Sequence, residues 1–200
     1  MTLIDKRNLT SLVASRICHD LINPIGAIGN GVELLTLSGQ KSEEVDLIAG
    51  SVSQAGGRIR LFRLAFGAPG TGQNIAATEI KSILKDVSAS GRTVFRWEVG
   101  EPAPRDEVQA ALLAATCLET ALVAGGVVEI VRTGRGWRLT GSGRLIKQDP
   151  AIWGLLDGSG GDAGAVSAAS VQFLLLPLAL STLNRTLSVT SGETELTISF

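Results

Sequence analysis

Apolar residues recur every three or four positions at Leu9, Val13, Ile17, Leu21, Ile25, Ile28, Val32 and Leu35. This spacing predicts one long amphipathic helix, ended by Ser38-Gly39. A second helix is predicted to open at Ser42, a hydroxyl suited to an N-cap, with Glu43 and Glu44 in the first turn where the helix dipole favours anions. Its apolar line, Val45, Ile48, Val52, Ala55, Ile59, Phe62 and Phe66, alternates threes and fours throughout. Such heptad lines pack as left-handed seams, and so short a connection makes the two helices antiparallel neighbours. A single hairpin is too thin to cover both seams. Two copies pairing into a four-helix bundle would do so, and a homodimer is expected.

The cluster Gly67-Ala-Pro-Gly-Thr-Gly-Gln-Asn is a breaker segment of the kind that separates domains. It divides the chain into a helical hairpin, 1–68, and an α/β unit, 75–200. In the second unit a helix is predicted over Thr78–Ser90, a strand over Thr93–Val99, and a longer helix over Arg105–Ala124, opened by Pro104 and closed by Gly125-Gly126. Strand patterns follow at Val127–Arg132, Trp137–Thr140, Leu187–Thr190 and Thr194–Ser199, with a helix from about Val166 to Leu183 before the last pair. The expected class is α+β, with helices laid on one face of a mixed sheet. The most apolar run, from Val171 to Leu180, is about half the ~20 residues that span a bilayer. It reads as a core helix, so no membrane insertion is expected.

Composition narrows the function. Eighteen basic residues face nineteen acidic ones, and there is no Tyr. That balance offers no field to attract a polyanion and no stacking platform, so nucleic acid is not an expected partner. The opening Met1-Thr-Leu-Ile-Asp-Lys-Arg-Asn lacks the apolar core of a secretory signal, and a cytoplasmic address is expected. Cys18 and Cys117, with one histidine in the chain, cannot assemble a four-ligand zinc site and read as small buried residues.

That histidine, His19, lies nearly opposite the stripe of Ile17, Leu21, Ile28 and Leu35 at about 100° per residue, and should stand in solvent. Ser15, Asn23, Gly26 and Asn30 share its face as small or polar groups, flanked by Leu12, Arg16 and Ile22. Pro24 sits five residues on, inside the helix, where it frees the Asp20 carbonyl at a cost of about 3 kcal/mol. A local rule broken in a well-patterned helix points to a functional place. Asp20 is placed to accept a hydrogen bond from the ring and so favour a nucleophilic nitrogen on the far side. Arg58, Arg60 and Arg63 should lie level with His19 on the second helix, offering positive charge.

The run His19-Asp20-Leu21-Ile22-Asn23-Pro24-Ile25 resembles the H-box of sensor histidine kinases. The longer run from Ser15 to Leu35, together with Arg60-Leu-Phe-Arg-Leu-Ala-Phe-Gly, is similar to the ChpT-type histidine phosphotransferases. The resemblance implies a second domain that is a degenerate relative of the kinase ATP-binding domain. It implies His19 as covalent phosphoryl carrier, with Asp20 and Asn23 beside it and Arg16, Ile22, Gly26, Asn30, Arg60 and Arg63 meeting the partner. The donor implied is the receiver domain of a hybrid histidine kinase, and the acceptors are response-regulator receivers of the bacterial cell cycle. Mg²⁺ is expected in the receiver and no cofactor in this chain.

Kinases of this class hold nucleotide with an asparagine on the long helix and with glycine-rich loops. Here no asparagine occurs between Asn74 and Asn184, and Cys117, Glu119 and Thr120 occupy the stretch where one would be sought. Asp157-Gly-Ser-Gly-Gly matches a first glycine box only in part, and no second box follows. Transfer without ATP is the leading expectation; an ATP-using kinase core and a non-catalytic dimeric adaptor are the alternatives.

Overall fold

A computed structural model describes residues 6–39, 42–68, 72–89, 91–134 and 136–200, with side chains from Ala14 onward. The Met1–Asp5 start, the side chains of Leu9, Leu12 and Val13, and positions 69–71 of the breaker segment lie outside the described residues.

Helix α1 spans Lys6–Leu37 and α2 spans Glu43–Phe66. The Ser42 hydroxyl accepts the Val45 N–H at 3.3 Å, so the expected cap forms. The helices touch through Gly29 against Val52 and Ile25 against Gly56, with Cys18 and Val32 buried on the same face of α1. Of the expected apolar line, Ile25 and Val32 face α2 within one chain. Ile17, Leu21, Ile28 and Leu35 are 42 to 54% exposed within one chain. The contact face is turned by about one residue because Gly29, which a hydrophobic count gives no weight, lets α2 approach closely.

The C-terminal half of α2 serves a second core. Leu61, Leu64 and Ala65 are buried against α3 (Ala77–Ala89) and α4 (Arg105–Ala121). Gly57 permits this approach, since a Cβ there would fall 2.9 Å from the Asp86 Cβ.

The sheet has the order β2-β4-β5-β7-β6. Strand β2 (Thr93–Trp97) runs parallel to β4 (Gly126–Thr133), which returns antiparallel as β5 (Gly136–Ser142). Strands β7 (Glu195–Ser199) and β6 (Ser188–Ser191) complete it antiparallel. Alternation buries Phe95, Trp97, Trp137, Leu139, Leu196 and Ile198 on the helical side, as the period of two requires. A separate ladder pairs β1 (Asn74–Ile75) with β3 (Ala103–Pro104).

Helix α4 is central, buried from Val108 through Leu118 between the sheet, α2 and α6 (Gln172–Thr182). Its run of alanines lets all three neighbours come close. Helix α5 (Pro150–Asp157), capped by Asp149, was not expected, being too short to show a period. The expected helix from Val166 is instead two tight 3₁₀ turns, Ala163–Ala165 and Ala168–Ser170, before α6. Ser167 and Ser170 form a reciprocal capping box, an alternative to helical bonding that their hydroxyls favour.

Gly125 joins α4 to β4 at φ 81°, and a Cβ there would meet the Arg92 carbonyl oxygen at 2.2 Å. Gly125→Ala should therefore lower stability by about 2 kcal/mol or more. Gly50 in α2 has open space around it, and Gly50→Ala should raise stability by about 0.5–1 kcal/mol. Urea unfolding of both variants checks the pair; equal effects would contradict this account.

Candidate functional site

The His19 side chain is 69% exposed on α1. Its Nδ1 lies 3.2 Å from Asp20 Oδ1, while Asp20 Oδ2 accepts Arg16 Nε–H at 2.8 Å, one helical turn away. The three side chains form a short chain along one strip of helix, from Arg16 through Asp20 to the imidazole. The hydrogen bond with His19 holds the Asp20 carboxyl below its ordinary range, and Arg16 lowers it further against the opposing effect of desolvation. With Nδ1–H donating to Asp20, Nε2 keeps the lone pair and points away from the carboxylate.

Further along the same face of α1, Asn23, Gly26 and Asn30 are exposed, and nothing lies within 4 Å of where a Gly26 Cβ would stand. Ile22 is half-buried at the edge of this low surface. Helix α1 continues through Pro24, whose missing N–H leaves the Asp20 carbonyl without its helical donor.

Two expectations are corrected. Ser15 does not share the open face: it is half-buried, and its hydroxyl accepts the Ala68 N–H at 3.2 Å, tying the end of α2 to α1. The three arginines do not gather beside His19 either. Arg58 is bidentate to Glu119 of α4 at 2.9 and 2.5 Å, and Arg60 pairs with Asp86 of α3 at 2.5 Å. Positions 58, 60 and 63 point in different directions around a helix, and their acidic partners are too distant in sequence to leave a local signal. Arg63 is exposed and makes no ion pair with a described residue. It lies near enough to Cys18 to oppose the rise that burial imposes on that thiol.

The clamp between the hairpin and the sheet-bearing half was not legible in the sequence. Besides the two ion pairs, the buried Gln109 amide of α4 donates to the carbonyls of Ala65 at 3.1 Å and Gly67 at 2.8 Å. It thereby satisfies end-of-helix acceptors on α2 that would otherwise be buried without partners.

On α4, Cys117 is wholly buried and its thiol is pushed well up by that burial. Glu119 is engaged by Arg58, and the Thr120 hydroxyl donates to the Cys117 carbonyl at 2.6 Å. The glycine loop after α5 is folded onto the helix, with Asp157 accepting Ser159 N–H at 2.8 Å. A Cβ at Gly161 would meet Leu155 N at 2.5 Å and the Ala151 carbonyl oxygen at 2.6 Å, so that glycine serves packing. Among the described residues no group of three or more His, Cys, Asp and Glu is placed to hold a metal ion, and no helix is long and apolar enough to cross a membrane.

Residues 77–195 match the family model of the histidine phosphotransferase C-terminal domain. The protein phosphotransferase ChpT of Brucella abortus (strain 2308) is 30% identical over 171 residues, covering 82% of this chain and 81% of that protein. A bacterial phosphotransferase solved at 1.7 Å superposes with a TM-score of 0.68 at 27% identity, over 100% of this chain and 98% of that one. A helical pair carrying an exposed histidine and joined to an α/β half is, with these likenesses, a phosphotransferase of the two-component phosphorelay class. More narrowly, the chain belongs to the histidine phosphotransferase family.

Two measurements test the geometry. Asp20 should titrate below the ordinary carboxylate range, and His19→Ala should move it back up, as read by carboxyl ¹³C NMR; an unmoved titration would contradict the contact. The sign follows from a depressed folded pKa: the His19–Asp20 interaction is present above the unfolded value and lost as pH falls through the folded one. Separately, Glu119→Ala strands a half-buried guanidinium and should cost about 1–3 kcal/mol in urea unfolding.

Proposed function

We propose that His19 is the phosphoryl carrier of this phosphotransferase, and that it relays the group between receiver domains without using ATP. The observation that carries the reading is the exposed imidazole whose Nδ1 is engaged by Asp20, leaving Nε2 as the open nucleophile. In the proposed cycle Nε2 attacks the phosphorus of a receiver's phosphoaspartate, the P–O bond to the aspartyl carboxylate breaks, and that carboxylate leaves. The phosphorylated ring retains its Nδ1 proton and gains positive charge, which the Asp20 carboxylate stabilises. A second receiver's aspartate then takes the group by the reverse step.

Mg²⁺ belongs to the receiver in this scheme, where it neutralises the phosphoryl oxygens, while this chain supplies an aimed, exposed nucleophile. Arg16, Asn23, Gly26 and Asn30 form the low polar surface that accepts the partner, Ile22 gives it an apolar edge, and Arg63 adds a cation across the hairpin. Arg60, occupied by Asp86, drops out of that set. Absence of nucleotide binding is supported by the buried Cys117 on α4 and by the glycine loop packed onto α5. A homodimer is supported by the exposed apolar line Ile17, Leu21, Ile28 and Leu35, which a second hairpin would cover. The family resemblance assigns a hybrid kinase as donor and cell-cycle response regulators as acceptors, in the cytoplasm.

A two-step transfer assay, from one phosphorylated receiver to a second, tests the relay. The native chain should pass the group and accumulate acid-labile phosphate, His19→Gln should fall to background, and Asp20→Asn should slow transfer tenfold or more. Relay surviving in His19→Gln would end the proposal; partner binding without any phosphohistidine would favour an adaptor. Micromolar affinity for a fluorescent ATP analogue would restore a kinase core.

A further inference from the structure

Two heptad lines on the hairpin run into one groove. On α1, Leu35, Ile28, Leu21 and Ala14 are spaced by seven residues; on α2, Ile48, Ala55 and Phe62 are spaced likewise. Each step of seven advances about 10 Å along the helix, so both lines descend the same length of bundle. They end at Ala14 and Phe62, which line a mainly apolar groove of about 870 Å³ between the hairpin and the other half of the chain. Its far wall is Val171, Leu174 and Leu178, the last 47% exposed, and the Arg58–Glu119 pair lies along it.

We infer that a second copy of this chain covers the groove together with the seam, so that α6 belongs to the dimer interface. This rests on the homodimer reading above and extends it beyond the hairpin. The occupant follows from continuity: whatever lies along Leu35, Ile28 and Leu21 on α1 and Ile48 on α2 arrives at Ala14 and Phe62, because these are the next positions of the same lines. A surface that is mainly apolar from the seam to Leu178, and whose lining charges, Arg58 and Glu119, neutralise each other, is covered as one piece. The consequence is a coupling between assembly and domain orientation. The second copy would shield the junction clamped by Arg58 and Glu119, excluding water from an ion pair that solvent otherwise weakens.

Sedimentation equilibrium of three proteins decides the matter. The native chain should be dimeric, Leu178→Asp should weaken its dimerisation at least tenfold, and Leu145→Asp, at an equally exposed leucine outside the groove, should leave it within twofold. A native dimer unaffected by Leu178→Asp would overturn the groove assignment while leaving the bundle standing; a monomeric native chain would overturn both. An apolar fluorescent dye gives a second readout. It should light up with the Ile28→Asp variant, whose seam is broken, and stay dim with the native dimer; bright native dimer would show the groove uncovered and end the inference.

Discussion

The architecture depends on α2 serving two cores at once. Its first half packs on α1 through glycine contacts, and its second half buries Leu61, Leu64 and Ala65 under α3 and α4. A helix shared in this way transmits orientation, because its backbone is stiff and its faces are fixed by the 100° step. Polar groups at the join find partners: Gln109 reaches two carbonyls at the end of α2, while Arg58 and Arg60 meet carboxylates on α4 and α3. Packing sets the approach of the halves, and these bonds make one orientation better than its neighbours.

His19 stands on the exposed side of this framework. The chain of Arg16, Asp20 and His19 lies on the surface, where ion pairs contribute little to stability. Its effect is on direction and tautomer: one ring nitrogen is engaged and the other is left facing outward. The helix beneath accepts a proline one turn further on, and the long flanks of α1, packed on α2, carry that disruption.

The sheet-bearing half has the opposite character. Positions where sequence comparison with kinases looks for nucleotide ligands are given over to packing: Cys117 is sealed within α4's surroundings, and the glycine loop lies against α5 with no space for a side chain at Gly161. The sheet-bearing half packs on the hairpin through α3 and α4 against α2.

Local sequence determined the two long helices, the Ser42 cap, the central α4 and all five strands of the main sheet, since each depends on neighbours within a few residues. The exposure of His19 and its contact with Asp20 were legible for the same reason: both follow from the angular step of one helix. Tertiary structure decided which face of α1 meets α2, because glycines such as Gly29 and Gly56 set the approach without registering as hydrophobic. It decided the fates of Ser15, Arg58 and Arg60 as well, whose partners at Ala68, Glu119 and Asp86 come from other elements. Local spacing orients a side chain on its own helix; only the packing of distant segments determines what it meets there.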